Sequence, residues 1–526
     1  MSDVVREIVI AGGGTAGWLT AGVLAADHGK RLRVRVVESP DVPTIGVGEG
    51  TWPTMRDTLR RIGVSEATLF RECDAAFKQG SRFDGWRNGA ADDRYFHPFS
   101  LPHGYLDADL VAGWLDAQPQ KPFADTMTPQ AQLCRSDKAP KQAATPEYAA
   151  VVNYAYHLDA MKLGILLREH CTKMLGVEHV SDHITGVESR DNGDIAALTL
   201  RERGRLPGDL FVDCTGLRAL LLGEHFGVRF AGRRNVLFND SALAVQVPYA
   251  NPNAEIASQT ISTAQDNGWI WDIGLPTRRG VGHVYSSAHT SDAEAEAALV
   301  SYVTATGGAS PMPSVRQIRF DPGYRETFWQ RNCVAIGLSA GFIEPLEASA
   351  IVMIELSAAM LSEDFPATRA DMDIVSRRFN DSFAYRWKRV IEFLKLHYVL
   401  SARDQSGYWR DHRGNASVPD ELQELLRLWR HRAPSHRDFP RSEEIFPSAS
   451  WQYILYGMGF RPDNMPETSR PEKNRPAQSR PAHADSIATA RNYFAETEKL
   501  TGRLRDALTG NRALIDHIRQ HGLPTI

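Results

Sequence analysis

The chain has 526 residues, 42% of them apolar and 24% charged, with a formal net charge of −4. That length exceeds what one hydrophobic core organises, so two or three units are expected. The near balance of charge excludes a global basic field for nucleic acid, and no apolar run reaches the roughly 20 residues a membrane-spanning helix needs.

The opening MSDVVREIVI enters a strand directly, with no apolar leader, which predicts a cytoplasmic protein. Cys73, Cys134, Cys171, Cys214 and Cys333 are scattered and odd in number. That suits a reducing compartment and argues against a disulfide framework. Without a C-x-x-C or H-E-x-x-H cluster, no metal site is expected.

Ile8-Val9-Ile10 reads as a buried strand, and Gly12-Gly13-Gly14-Thr15-Ala16-Gly17 follows at once as G-x-G-x-x-G. In this pattern Gly12 allows a tight turn, Gly14 lets a pyrophosphate approach the backbone, and Gly17 lets the next helix pack close. Trp18, Leu19, Ala21, Val23, Leu24 and Ala25 continue as that helix. Leu32, Val34 and Val36 alternate as a second strand ending at Glu38, about 20 residues past the glycines, where a ribose acceptor belongs. An acid there favours NAD or FAD over NADP, whose 2′-phosphate it repels.

Residues 44–50 form a glycine-spaced strap. Residues 54–80 read as helical and 81–150 as an irregular insertion. A helix is expected from Tyr156 to about Met174, and a hairpin turn at Asp191-Asn192-Gly193-Asp194. Leu210-Phe211-Val212-Asp213 is a buried strand that would return to the first sheet. Residues 236–320 read as a second sheet, and Cys333-Val334-Ala335-Ile336 as another strand with a helix starting near Ser349.

Past residue 370 the chain turns helical, with Phe379, Phe383, Trp387, Val390, Leu394 and Tyr398 in an apolar stripe. Residues 461–482 are proline-rich and charged, a linker. A last helix carries Leu500, Leu504 and Leu508. The fold class is therefore α/β, Rossmann-like over 1–370 with a mainly helical region over 371–526.

Four further segments carry a family resemblance: Phe77-Lys78-Gln79-Gly80 with Phe83-Asp84-Gly85-Trp86; Tyr95-Phe96-His97-Pro98-Phe99; Gly268-Trp269-Ile270-Trp271-Asp272-Ile273; and Gly341-Phe342-Ile343-Glu344-Pro345-Leu346-Glu347-Ala348-Ser349. With the glycine loop and Glu392–Tyr398, they resemble the flavin-dependent tryptophan halogenases over most of residues 1–460. That likeness implies a two-dinucleotide-binding-type FAD flavoprotein whose helical region covers the substrate.

The resemblance implies an enzyme that takes FADH2 from a separate NADH-dependent flavin reductase. With O2 it oxidises chloride or bromide to hypohalous acid, which travels inside the protein to Lys78 and halogenates an indole or similar arene. Lys78 would hold the acid as a cation or capture it as an amine. Glu347 would orient it or take the ring proton, with Glu344 ranked below. Ser349 and Ala350 match the halide-binding pair, where the family usually has Thr-Gly. His97, Phe99 and Trp451 match substrate walls, and Trp269 and Trp271 the flavin-side pair, although Gly274 replaces the usual proline.

Implied flavin contacts are Gly12, Gly14, Thr15, Ala16, Gly17, Glu38, Ile45, Val47, Gly48, Glu49, Gly50, Val180, Gly337, Leu338 and Ile351. No residue stands out to hold an amino acid's ammonium or carboxylate. Neither a nucleic-acid nor a membrane partner is expected, and the chain is expected to be a monomer or homodimer. The rival readings are a flavin monooxygenase and a non-catalytic flavin- or indole-binding protein.

Overall fold

The computed structural model describes residues 4–41, 49–117, 121–308, 313–441, 443–463 and 483–525. The opening unit forms as expected. Strand β1 (Glu7–Ala11) leads into helix α1 (Thr15–His28), and β2 (Arg33–Glu38) returns parallel to β1.

Each glycine has its own physical reason. Gly12 has φ 109°, and a Cβ on it would lie 2.2 Å from the Cys214 carbonyl oxygen. A Cβ on Gly17 would lie 1.9 Å from the Gly12 carbonyl oxygen, so only glycine lets α1 close on the strand. Gly14, at the N-cap of α1, faces open space.

Next come β3 (Glu49–Gly50), β4 (Ala76–Lys78), β5 (Gly80–Asp84), β6 (Arg94–Pro98), β7 (Ala155–Leu158) and β8 (Glu178–Ser181). Three expectations change here. Residues 54–80 are not one helix. The helix Thr54–Ile62 stops at left-handed Gly63, Glu66–Glu72 is a second short helix, and Asp74 (φ 47°) turns the chain into β4. Pairing of Phe77 with Tyr156 and of Lys78 with Ala155 overrides local helical preference.

The stretch 81–150 is not wholly irregular, because β5 and β6 pair and join the second sheet. Tyr156 and His157 lie on a strand. The helix starts only at Ala160, where the Asp159 carboxylate caps the N–H groups of Met161 and Lys162.

The first sheet runs Trp329–Gln330, Cys333–Ala335, Leu210–Asp213, β1, β2, β8, parallel except at its Trp329 edge. Leu210–Asp213 thus returns beside β1 as expected. The hairpin around Asn192-Gly193 joins Ile184–Ser189 to Ile195–Leu200. The second sheet runs Arg316–Arg319, Ser241–Pro248, Arg278–Tyr285, Gly268–Gly274, Thr260–Gln265, β5, β6. A small sheet, β3–β7–β4, lies at the site described below.

A helix does begin at Ser349, running to Glu363, and it packs along α1. The helix Arg369–Val399 buries its expected stripe, Phe379 through Tyr398, in the same hydrophobic cluster as β1 and α1. The helix carrying Leu500 and Leu504 ends at Ala507 and is not the last, since Asn511–His521 follows. Among the described residues no helix is long and apolar enough to cross a membrane. Residues 464–482 of the expected linker lie outside the described residues.

The two glycines make a paired test. Without ligand, Gly17→Ala should destabilise the fold by ~2 kcal/mol or more, as overpacking does, and Gly14→Ala by about 1 kcal/mol or less. Thermal unfolding of both variants checks this, and equal losses would contradict it.

Candidate active site

The nucleotide end offers a cradle. Helix α1 has no side-chain cap, so its first N–H groups are free to meet an anion in the open space at Gly14. Glu38 ends β2 against the loop, where a Cβ on Gly13 would meet its side chain at 2.4 Å, and its Oε2 lies 2.9 Å from His179 Nε2.

Val180 is buried on β8 beside Val37. A Cβ on Gly337 (φ 76°) would lie 2.8 Å from the Ala16 Cβ, so the Gly337–Leu338 turn lies against the first turn of α1. Thr15 opens α1, and Ile351 is buried near the start of the helix Ser349–Glu363. An open glycine, an uncapped helix and an acid at the strand end fit a pyrophosphate and ribose. Ile45, Val47 and Gly48 lie outside the described residues. Glu49 and Gly50 form β3, and burial pushes the Glu49 carboxyl up to about 7.

Lys78 sits on β4, 1% exposed. Side chains two apart on paired strands share a face, so Ala76 and Lys78 stand with His157 and Gly50 on one side of the small sheet. A Cβ on Gly50 would lie 3.1 Å from Lys78 Nζ and 3.3 Å from the Ala348 Cβ. Glycine is needed here for that approach. Nζ lies 5.3 Å from the Phe99 ring centre.

Burial pushes the amine down to about 8, against the pull of the Glu347 charge. His157 flanks it, with Nε2 2.8 Å from Thr260 Oγ1 and Nδ1 buried without a partner. Burial, and then the lysine's own charge, hold this imidazole well below its usual range, so it stays neutral.

Glu347 is buried on a strained turn. Glu347 (φ 63°) and Ala348 (φ 55°) are both left-handed without being glycine, at a cost of ~1 kcal/mol or more each. Trp52 holds the turn by donating from Nε1 to the Glu347 carbonyl at 2.8 Å. The carboxylate Oε1 lies 2.9 Å from His97 Nδ1. Burial alone would raise this acid's pKa, but the charge of His97 and the hydrogen bonds from His397 and His97 outweigh it and hold the acid well below the carboxylate range. The helix that follows starts at buried Ser349 and exposed Ala350 with no side-chain cap, leaving N–H groups for an anion.

Glu344 is engaged elsewhere. Its Oε2 accepts from Asn239 Nδ2, Trp269 Nε1 and the Tyr398 hydroxyl, each at 2.7 Å. Trp269 and Trp271 share a strand face, with ring centres 6.4 Å apart. Trp451 is enclosed by Phe393, Phe439 and Trp429 and is 1% exposed. The rings nearest His97 are Phe393 and Tyr453.

The tryptophan halogenase family profile matches residues 7–472. The chain belongs to this family. It is 35% identical over 474 residues to the 7-chloro-L-tryptophan 6-halogenase KtzR of Kutzneria sp. (strain 744), covering 86% of this chain and 90% of that one. Its fold matches the crystal structure of tryptophan halogenase from Shewanella frigidimarina NCIMB 400 with a TM-score of 0.94, at 47% identity over 99% of both chains. BrvH, a flavin-dependent halogenase from Brevundimonas sp. BAL3, matches with a TM-score of 0.84, at 33% identity over 98% of this chain and 100% of that one.

In this halogenase fold, sequence reasoning missed Trp52, His157, Tyr95 and His397. Tyr95 and His97 stand two apart on β6, a spacing that puts them on one face. Trp52 and His157 gave no such signal, since only the tertiary fold brings them to the lysine and the turn.

Gly50→Ala tests the close approach. The flexible lysine tip can yield, so stability should change by no more than about 0.5 kcal/mol. Displacing Nζ should still cost roughly tenfold or more in arene halogenation. Unfolding and turnover of the same preparation check both halves.

Proposed function

We propose that the chain is a flavin-dependent halogenase that installs chlorine or bromine on an electron-rich arene, an indole ring above all. The observation that carries this reading is the convergence of Lys78 and Glu347, both buried, beside His97 and Phe99.

The glycine loop, α1, Glu38 and the Gly337–Leu338 turn would hold FAD. Reduced FAD, delivered by a separate NADH-dependent reductase, supplies with O2 the oxidising equivalents that turn halide into hypohalous acid. The free N–H groups at Ser349 and Ala350 suit the halide. Lys78, as an amine, takes the halogen from hypohalous acid and releases water, then passes it to the arene carbon. The ring becomes cationic, and the Glu347 anion stabilises it and accepts the proton that leaves as the ring regains aromaticity. The proton that Glu347 takes from the ring passes to the amine nitrogen, replacing the one that left in the water, so the balance is hypohalous acid plus arene giving haloarene plus water. His97 and Phe99 bracket the flat ring. Free tryptophan is one substrate of this class and simple indole another.

The test is incubation with a flavin reductase, NADH, FAD and chloride or bromide against an indole panel, read by mass spectrometry. A haloindole is expected, and hydroxylated product alone would overturn the reading. Lys78→Ala should abolish halogenation while flavin reoxidation continues; loss of both would make the lysine structural.

The pH profile should also report the amine. Lys78 carries a proton below about 8 and loses it above. Halogenation should therefore rise with pH to a plateau beyond 8. A rate that falls through that range would assign activation to the ammonium.

A further inference from the structure

We propose that His397 and Tyr95 form a positioning pair that fixes the orientation and ionisation of Glu347, an inference that rests on the halogenase reading. His397 lies fully buried on the helix Arg369–Val399. Its Nε2 is 3.4 Å from Glu347 Oε1 and has no other partner, while its Nδ1 is 2.7 Å from the Tyr95 hydroxyl. The contact to Glu347 is long for a hydrogen bond.

Proton positions follow from the acid. An ionised carboxylate only accepts, so the facing ring nitrogen must be Nε2–H. Nδ1 is then the acceptor, and the Tyr95 phenol is its donor. Burial holds that phenol well above its ordinary range, so the hydroxyl keeps its proton to donate. The third partner thus fixes the tautomer of the second, as a supporting hydrogen bond does for a metal-bound histidine.

Packing locks the pair. The Tyr95 ring stacks on Phe83 at 4.7 Å and 7°, and Phe83, Trp86 and Phe393 surround His397. Among the described residues, the groups facing Glu347 are His97 and Tyr95 from β6, His397 from the long helix and Lys78 from β4. None is a second acid. Glu347 therefore stays an anion beside the amine, while the next helix residue, Tyr398, holds Glu344. Two successive residues of one helix secure both acids of the Glu344–Glu347 loop. A permanent anion is a weak base, yet a cationic ring intermediate is acidic enough to give it a proton.

The experiment compares His397→Phe, His397→Gln and Tyr95→Phe in holoenzyme turnover with indole and bromide across pH, with FAD affinity and arene KM measured alongside. His397→Phe should lower kcat about tenfold on the plateau above pH 8, because Glu347 loses one of the two imidazoles that fix its oxygen. His397→Gln, which keeps an N–H donor, should recover most of that loss, and Tyr95→Phe should show part of it. FAD affinity and arene KM should stay within about twofold.

An unchanged kcat in folded, flavin-loaded His397→Phe overturns the proposal, as does a Gln variant no better than Phe. If His397→Phe does not fold, an unchanged kcat in Tyr95→Phe overturns it and a partial loss supports it. Failure of the parent enzyme to halogenate at any pH would sink the functional reading instead, with no bearing on this geometry.

Discussion

A lysine amine and a glutamate carboxylate share one water-poor place, and the structure around them is arranged to tolerate it. A buried charge left without compensation costs about 3–5 kcal/mol. Lys78 meets that cost by shifting towards the neutral amine, walled by glycine, an aromatic face and an uncharged imidazole. Glu347 meets it the other way, through imidazole nitrogens at one oxygen. One partner is thus pushed towards losing its charge and the other towards keeping it, a division of roles typical of acid–base sites.

The fold ties this pair to the nucleotide end without merging the two. Gly50 on β3 pairs with His157 of β7, and a Cβ on it would lie 3.1 Å from Lys78 Nζ. The strained Glu347–Ala348 turn opens the helix Ser349–Glu363, which packs along α1. Trp52 pins the same turn from the strap side and lies 4.8 Å, ring to ring, from Phe446. The lysine, the acid and the glycine loop therefore hang on shared rigid elements. A site with tight distance requirements needs such support.

Sequence showed the nucleotide half most clearly, because G-x-G-x-x-G, the alternating strand and Glu38 are local patterns with local causes. The family's ordered segments pointed to Lys78 and Glu347 as well. The strand at Lys78 was hidden, since Ala75-Ala76-Phe77 reads equally as buried helix, and only pairing with β7 decides it. Histidines 157 and 397 were illegible as partners, for nothing local in the sequence links them to the site, and His397 meets Tyr95 across 302 residues of chain. Glu344 and Glu347 look alike in sequence. Their neighbours separate them: three donors on one oxygen for Glu344, two imidazoles for Glu347.

On the proposed function, oxidant would form at the nucleotide cradle and be spent beyond the Glu347 turn. A crystal structure of the protein soaked with FAD, bromide and an indole tests it most directly, because bromide is located by anomalous scattering. Bromide is expected at the N–H groups of Ser349 and Ala350, the isoalloxazine towards Gly337, and the indole against His97 and Phe99 with Lys78 between them. An indole lying on the isoalloxazine, with Lys78 remote from both, would contradict it.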